Sequence, residues 1–263
     1  MLRKVFKYDM KSLRNIVLTM LVVLLSLGLL GFGIRMLIYR MISGETNLSV
    51  LGLYGLWVLT IVGVVGIAAT AGILILYRYY KSVFTDEGYL TMTLPVGTHS
   101  LLLGKMFAAL LCALAVGIVA IFAYALTSVL PEVLFLIEQG TFENIWDSFS
   151  DLDIIGIVGH DAPTLVLGIF DALFSAVREF VLIYAAITLG ATLLKKARLV
   201  GAVVFVFLAS FVNGIFSSLL SLLTVTTESM VLTYTLNIFL SMAMIVLFYF
   251  LTYYLLHKRF NIE

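Results

Sequence analysis

The chain has 263 residues, 62% of them hydrophobic and only 12% charged, and its mean hydropathy is +1.15. Soluble domains carry about 25% charged residues, so this composition excludes an ordinary soluble enzyme and points to one transmembrane domain spanning residues 1–263. The net charge of +1 gives no footing for nucleic acid, and the single cysteine, Cys112, excludes an intrachain disulfide.

The reading in chain order is all-α: a polytopic membrane protein with six transmembrane helices, a basic N-terminal interfacial helix and a short cytoplasmic helix. Residues 2–14 place Leu2, Val5, Phe6, Met10 and Leu13 on one helical face and Arg3, Lys4, Lys7, Lys11 and Arg14 on the other. That pattern predicts an amphipathic helix in the membrane interface, its cations near anionic head groups. Residues 15–34 are uncharged and longer than a signal-peptide core, so they read as a retained first span. A polar turn is expected at 35–45. Further spans are expected near 52–77, 106–130, 170–194, 199–223 and 231–256. The fourth is the least clean, because only 180–194 is free of charge and the span must run back past Arg178 and Glu179.

Six spans put both termini on one side, and the charges say which. Thirteen of the 16 Lys and Arg residues fall at the N-terminus, around 78–105, at 195–198 and at 258–259. By the positive-inside rule these segments are cytoplasmic. The longest outer loop is 131–163. Within it Phe142, Ile145, Trp146 and Phe149 recur at helical spacing, which predicts a short helix in the outer interface, either part of a gate or a simple connector.

The cytoplasmic segment 82–105 has no core of its own yet carries bulky side chains. Thr85 reads as an N-cap, Asp86 and Glu87 favour the first turn of a helix, and Pro95 ends it. Tyr89 and Met92 form one face of residues 86–94, and Leu90 and Leu94 another. One face can pack under the bundle; the second needs a partner.

Among groups that carry chemistry, Gly97 to Met106 superficially resembles a phosphate loop, but the glycines are wrongly spaced and Met106 stands where a hydroxyl should meet magnesium. His160 beside Asp161 matches no metal-ligand spacing. The chain therefore reads as no enzyme, with no metal and no cofactor of its own. Asp171, Arg178, Glu179 and Asn213 are the polar residues nearest hydrocarbon. Counted back from Lys195, Arg178 lies roughly 25 Å from the inner boundary. Two readings stay open for Asp171, Arg178 and Glu179, lining a pathway or snorkelling to the interface. Asn213 would bond across helices or line a cavity. A stripe of small residues on the second span, Gly63, Gly66, Ala68, Ala69, Thr70 and Gly72, predicts close helix packing.

The stretch 79–96 (YYKSVFTDEGYLTMTLPV), followed by LLLGK at 101–105, resembles permease subunits of ABC-2-type ABC transporters from Gram-positive, clostridia-like bacteria. The basic N-terminus and the six-span topology agree. The resemblance implies a pair of permease chains, alike or different, each on a separate ATPase subunit that holds ATP and magnesium. It implies that residues 86–94 are the coupling helix, with Lys195 and Lys196 in a second cytoplasmic contact. It also implies export of a lipid, peptide, glycan or drug-like substrate. Many members carry re-entrant helices between the fifth and sixth spans; here that connection, at 224–229, is short. Two other functions fit the residues: a non-transporting immunity or sensor subunit, and a secondary transporter, for which the clean spans lack midplane charges.

Overall fold

The computed structural model describes residues 2–42, 47–85, 88, 97–138, 154–194, 197–225 and 230–260. Among the described residues the protein is all-helical: α1 (Leu2–Ile42), α2 (Asn47–Phe84), α3 (Thr98–Tyr124), a π-helical turn (Ala125–Val129), α4 (Leu130–Glu138), α5 (Ile154–Leu193), α6 (Arg198–Val225) and α7 (Met230–Phe260). Five stretches are long and apolar enough to cross a membrane: Val5–Met41, Val50–Phe84, Thr98–Glu138, Arg198–Ile215 and Val231–Lys258. The expected fourth span lies in α5, which carries Asp171, Arg178 and Glu179 and is not one of the five. Large apolar side chains such as Phe207, Phe211 and Phe239 are exposed. A helix apolar on its outer face as well as its inner one belongs in hydrocarbon.

The helices run past the limits that charge alone suggests. The expected interfacial helix at 2–14 and first span at 15–34 are one unbroken helix. No proline or glycine stops it at the junction, and Leu13 and Val17 are both buried while Lys7, Lys11 and Arg14 stay exposed. The polar turn expected from residue 35 is helix as far as Ile42. The third helix starts at Thr98 rather than near 106 and takes Lys105 with it. Arg35 and Lys105 have partners beside them, so neither has to end a helix.

The chain divides into two packing units. The N-terminal unit holds Phe6–Arg78 and Phe107–Ile154. Its helices meet through absent side chains. A Cβ on Gly31 would lie 2.4 Å from Thr127 Cγ2 and 2.9 Å from Thr60 Oγ1, and one on Gly28 would lie 3.0 Å from Ala123 Cα. Small residues let backbones approach closely where no hydrophobic force drives association. The close contacts therefore centre on α1, not on the α2 stripe: Gly63 meets only Leu27, and Gly66 and Gly72 face open space among the described residues.

The same unit contains the π turn, and Pro131 explains its surroundings. In a regular helix the Thr127 carbonyl would accept the N–H of residue 131, which proline lacks. The Trp57 indole N–H donates to that carbonyl instead, at 3.1 Å. The Thr127 hydroxyl donates back to the Ala123 carbonyl at 2.7 Å. An unsatisfied carbonyl in a dry interior would cost about 1–3 kcal/mol, so Trp57 holds α2 against the bulge.

The C-terminal unit holds Met1–Val5, Tyr79–Met106 and Ile155–Glu263. Its tightest point joins α5 to α6. A Cβ on Gly190 would lie 2.3 Å from the Gly201 carbonyl oxygen, so the two backbones touch. The turn between them is closed by the Ala197 N–H on the Leu194 carbonyl at 3.2 Å and the Gly201 N–H on the Ala197 carbonyl at 2.8 Å.

Candidate functional site

Two polar clusters lie in the C-terminal unit. The first brackets the segment 85–97. On its N-terminal side, the Tyr79 hydroxyl shares a hydrogen bond with Thr188 Oγ1 of α5 at 2.9 Å. The Tyr79 ring packs on Tyr184, centroid to centroid 3.9 Å. Arg198, the first residue of α6, donates to the Phe84 carbonyl at 3.4 Å. On the C-terminal side, Lys105 Nζ donates to Ser82 Oγ at 3.0 Å. Lys105 is only 5% exposed, and Tyr79, Ser82, Val83, Phe84 and Thr188 are buried with it. Side chains from α2, α3, α5 and α6 thus fasten both ends of one short connection.

The turn that leaves α2 is also specified residue by residue. The Thr85 hydroxyl donates to the Lys81 carbonyl at 2.5 Å and so closes α2, while the helix it was expected to cap lies outside the described residues. The Gly88 N–H returns to the Thr85 carbonyl at 2.8 Å. A Cβ on Gly88 would lie 2.4 Å from the Val83 carbonyl oxygen, so no larger residue fits there. The expected contact residues Asp86, Glu87, Tyr89, Leu90, Met92 and Leu94 lie outside the described residues, as do Lys195 and Lys196. So do Phe142, Ile145, Trp146 and Phe149 of the expected outer interfacial helix.

The second cluster unites three of the four expected intramembrane polar residues. Arg178 pairs with Glu179 through Nη2 and Oε1 at 3.2 Å. Asn213 of α6 donates from Nδ2 to the same Glu179 oxygen. Ser241 of α7 accepts from Arg178 Nη1 at 3.4 Å. The cluster therefore ties α5, α6 and α7 together and leaves its charges mutually compensated. Asp171 sits two turns before Arg178, and among the described residues its Oδ1 has no hydrogen-bond partner. Beside the cluster is an apolar cleft of about 310 Å³, bounded by Leu182 and Leu189 of α5, Phe205 and Asn213 of α6, and Met244 and Leu251 of α7.

The sequence reading missed two features. One is the Tyr79–Thr188 bond, whose only signal was a hydroxyl inside an apolar run. The other is an aromatic box around Arg35 in the N-terminal unit. The Arg35 guanidinium carbon lies 4.4 Å from the Trp57 ring centroid, 4.9 Å from Tyr39 and 5.5 Å from Tyr54. Arg35 Nε also donates to the Tyr39 hydroxyl at 3.2 Å. The spacing of Tyr39 one turn after Arg35, and of Tyr54 one turn before Trp57, was the available signal. The box explains how α1 carries a cation without ending.

Apolar helices of this length, with their polar groups bonded to one another, define a multi-pass membrane protein. No family model, curated protein or solved structure matches the chain.

Proposed function

We propose that the chain is the permease subunit of an ATP-driven ABC exporter of the ABC-2 type, with six spans and both termini in the cytoplasm. On this reading α5 is the fourth span, and residues 86–94 are the coupling helix that receives the motion of a separate ATPase. A second permease chain completes the transporter, and the cargo is a lipid, peptide, glycan or drug-like molecule.

The observation that carries the reading is the double fastening of the segment 85–97. Tyr79 to Thr188, Lys105 to Ser82 and Arg198 to the Phe84 carbonyl tie its two ends to four helices. A connection that only joined two spans would need none of these bonds. A connection that transmits a push needs ends that do not yield, so that displacement enters the bundle as a rigid-body movement.

Affinity purification of the chain from native membranes in mild detergent tests the proposal. An ABC-type ATPase should co-purify and be identified by mass spectrometry. Replacing Tyr89→Ala with Leu90→Ala should lower stimulation of that ATPase by at least ~10-fold, since each buried side chain is worth roughly 1.5–3 kcal/mol. Absence of any ATPase, or stimulation that survives the double substitution, sinks the reading.

A further inference from the structure

The cleft between α5, α6 and α7 has one polar atom in need of a partner. Asn213 is 8% exposed and lines the cleft. Its amide orientation is set by chemistry, because only Nδ2 can face the Glu179 carboxylate; Oδ1 against that carboxylate would find no donor. Oδ1 is then left buried without a hydrogen-bond partner. The remaining lining is apolar: Leu182, Leu189, Phe205, Met244 and Leu251 among others. A water there would have Asn213 as its single side-chain partner, whereas buried waters typically make about three bonds.

Three properties of the cleft select an occupant. Its size, about 310 Å³, is at the lower end of ligand pockets, which run roughly 300–1,000 Å³. Its length follows from the helices. Leu182 to Leu189 and Asn213 to Phe205 each cover two turns, or ~10–12 Å, close to the ~15 Å hydrocarbon depth of one leaflet. Its polar end is uncharged in sum, because Arg178 and Glu179 pair there. That end lies below the interface, about 9 Å from the far face of a ~30 Å hydrocarbon core. Glu179 is fourteen residues before Leu193, or ~21 Å along α5 from the turn where Arg198 marks a boundary, within a hydrocarbon core of ~30 Å. A charged phosphate head that left the interface for this end would need a matching charge, which the paired Arg178 and Glu179 do not offer. A hydroxyl needs none, and it donates to the acceptor that Asn213 leaves open.

We propose that this cleft is a binding site for a neutral lipid alcohol of the diacylglycerol type, its acyl chain against Leu189, Phe205 and Leu251 and its free hydroxyl donating to Asn213 Oδ1. The site does not depend on the chain being an exporter. It requires the membrane, the cleft and the unpartnered amide oxygen. Lipid bound there packs α5, α6 and α7 around one shared guest.

Photolabelling of the full chain in lipid nanodiscs tests this. The probe is a diacylglycerol carrying a diazirine on one acyl chain; its controls are the same molecule with the hydroxyl methylated and a diazirine phosphatidylcholine. The diacylglycerol should label peptides that contain Phe205 and Met244 to Leu251. The methyl ether should label them ~3–10-fold less, as expected for loss of one hydrogen bond. Phosphatidylcholine should label them no more than other helix faces. Ala209→Phe, which fills the cleft, should abolish the labelling while circular dichroism stays unchanged. Equal labelling by alcohol and ether overturns the role of Asn213. Equal labelling by phosphatidylcholine overturns the neutral head. Labelling that avoids α6 and α7, or persists in Ala209→Phe, overturns the site.

Discussion

Both packing units use close backbone approach and polar bonds between helices, but in different proportions. The N-terminal unit relies mainly on missing atoms. Gly28 and Gly31 bring α1 against Ala123, Thr127 and Thr60, and its one exceptional cation, Arg35, is wrapped by aromatic rings rather than paired with an acid. The C-terminal unit relies mainly on polar bonds between helices: Tyr79 to Thr188, Lys105 to Ser82, and the linked set of Arg178, Glu179, Asn213 and Ser241. In hydrocarbon both devices work, because lipid competes with neither van der Waals contact nor hydrogen bonding. The fastened segment 85–97 and the proposed ligand cleft both fall in the second unit.

The comparison breaks most easily at Gly31. Gly31→Leu forces a side chain into Thr127 and should cost about 3 kcal/mol or more by overpacking, read as loss of folded protein in detergent unfolding. Next comes Glu179→Leu, which strands Arg178. A fully buried pair broken this way costs roughly 3–5 kcal/mol. Glu179 is 41% exposed, so about 2 kcal/mol is expected, and Arg178→Met with Glu179→Leu should recover most of it. A double variant no more stable than the single would show that Arg178 is not held by this pair.

Smaller effects sharpen the contrast. Trp57→Phe keeps the ring over Arg35 but removes the donor to the Thr127 carbonyl, for a loss of about 1 kcal/mol. Adding Pro131→Ala, which restores a backbone N–H, should cancel that loss. The smallest effect is the coupling between Tyr79→Phe and Thr188→Val, about 0.6 kcal/mol in a double-mutant cycle, the usual size for a hydrogen bond between membrane helices. Zero coupling would mean that this bond does not fasten α2 to α5.

Much of the architecture was legible from charge-free runs. The stretches 15–34, 52–77, 106–130, 199–223 and 231–256 all fall inside helices. The ends were not legible. Residue 35 looked like a stop because an arginine in hydrocarbon is costly, and its cost is removed by Tyr54 and Trp57 from another helix. Residue 105 looked like a flank for the same reason, and Ser82 removes that cost. Sequence also marked Arg178, Glu179 and Asn213 one by one as unusual. It held no sign that Glu179 would meet a residue 34 positions later. The close packing expected of the small residues on α2 belongs instead to α1, since a stripe of glycines states that approach is possible and not which helix approaches.

By itself, then, the sequence determined that this is a multi-pass helical membrane protein, because helix length and hydrophobicity are local properties that a bilayer reads one segment at a time. Tertiary structure decided where helices end, which charges are tolerated, and which polar atom remains unpaired. Those depend on partners, and in hydrocarbon a polar group is only as costly as its neighbours leave it.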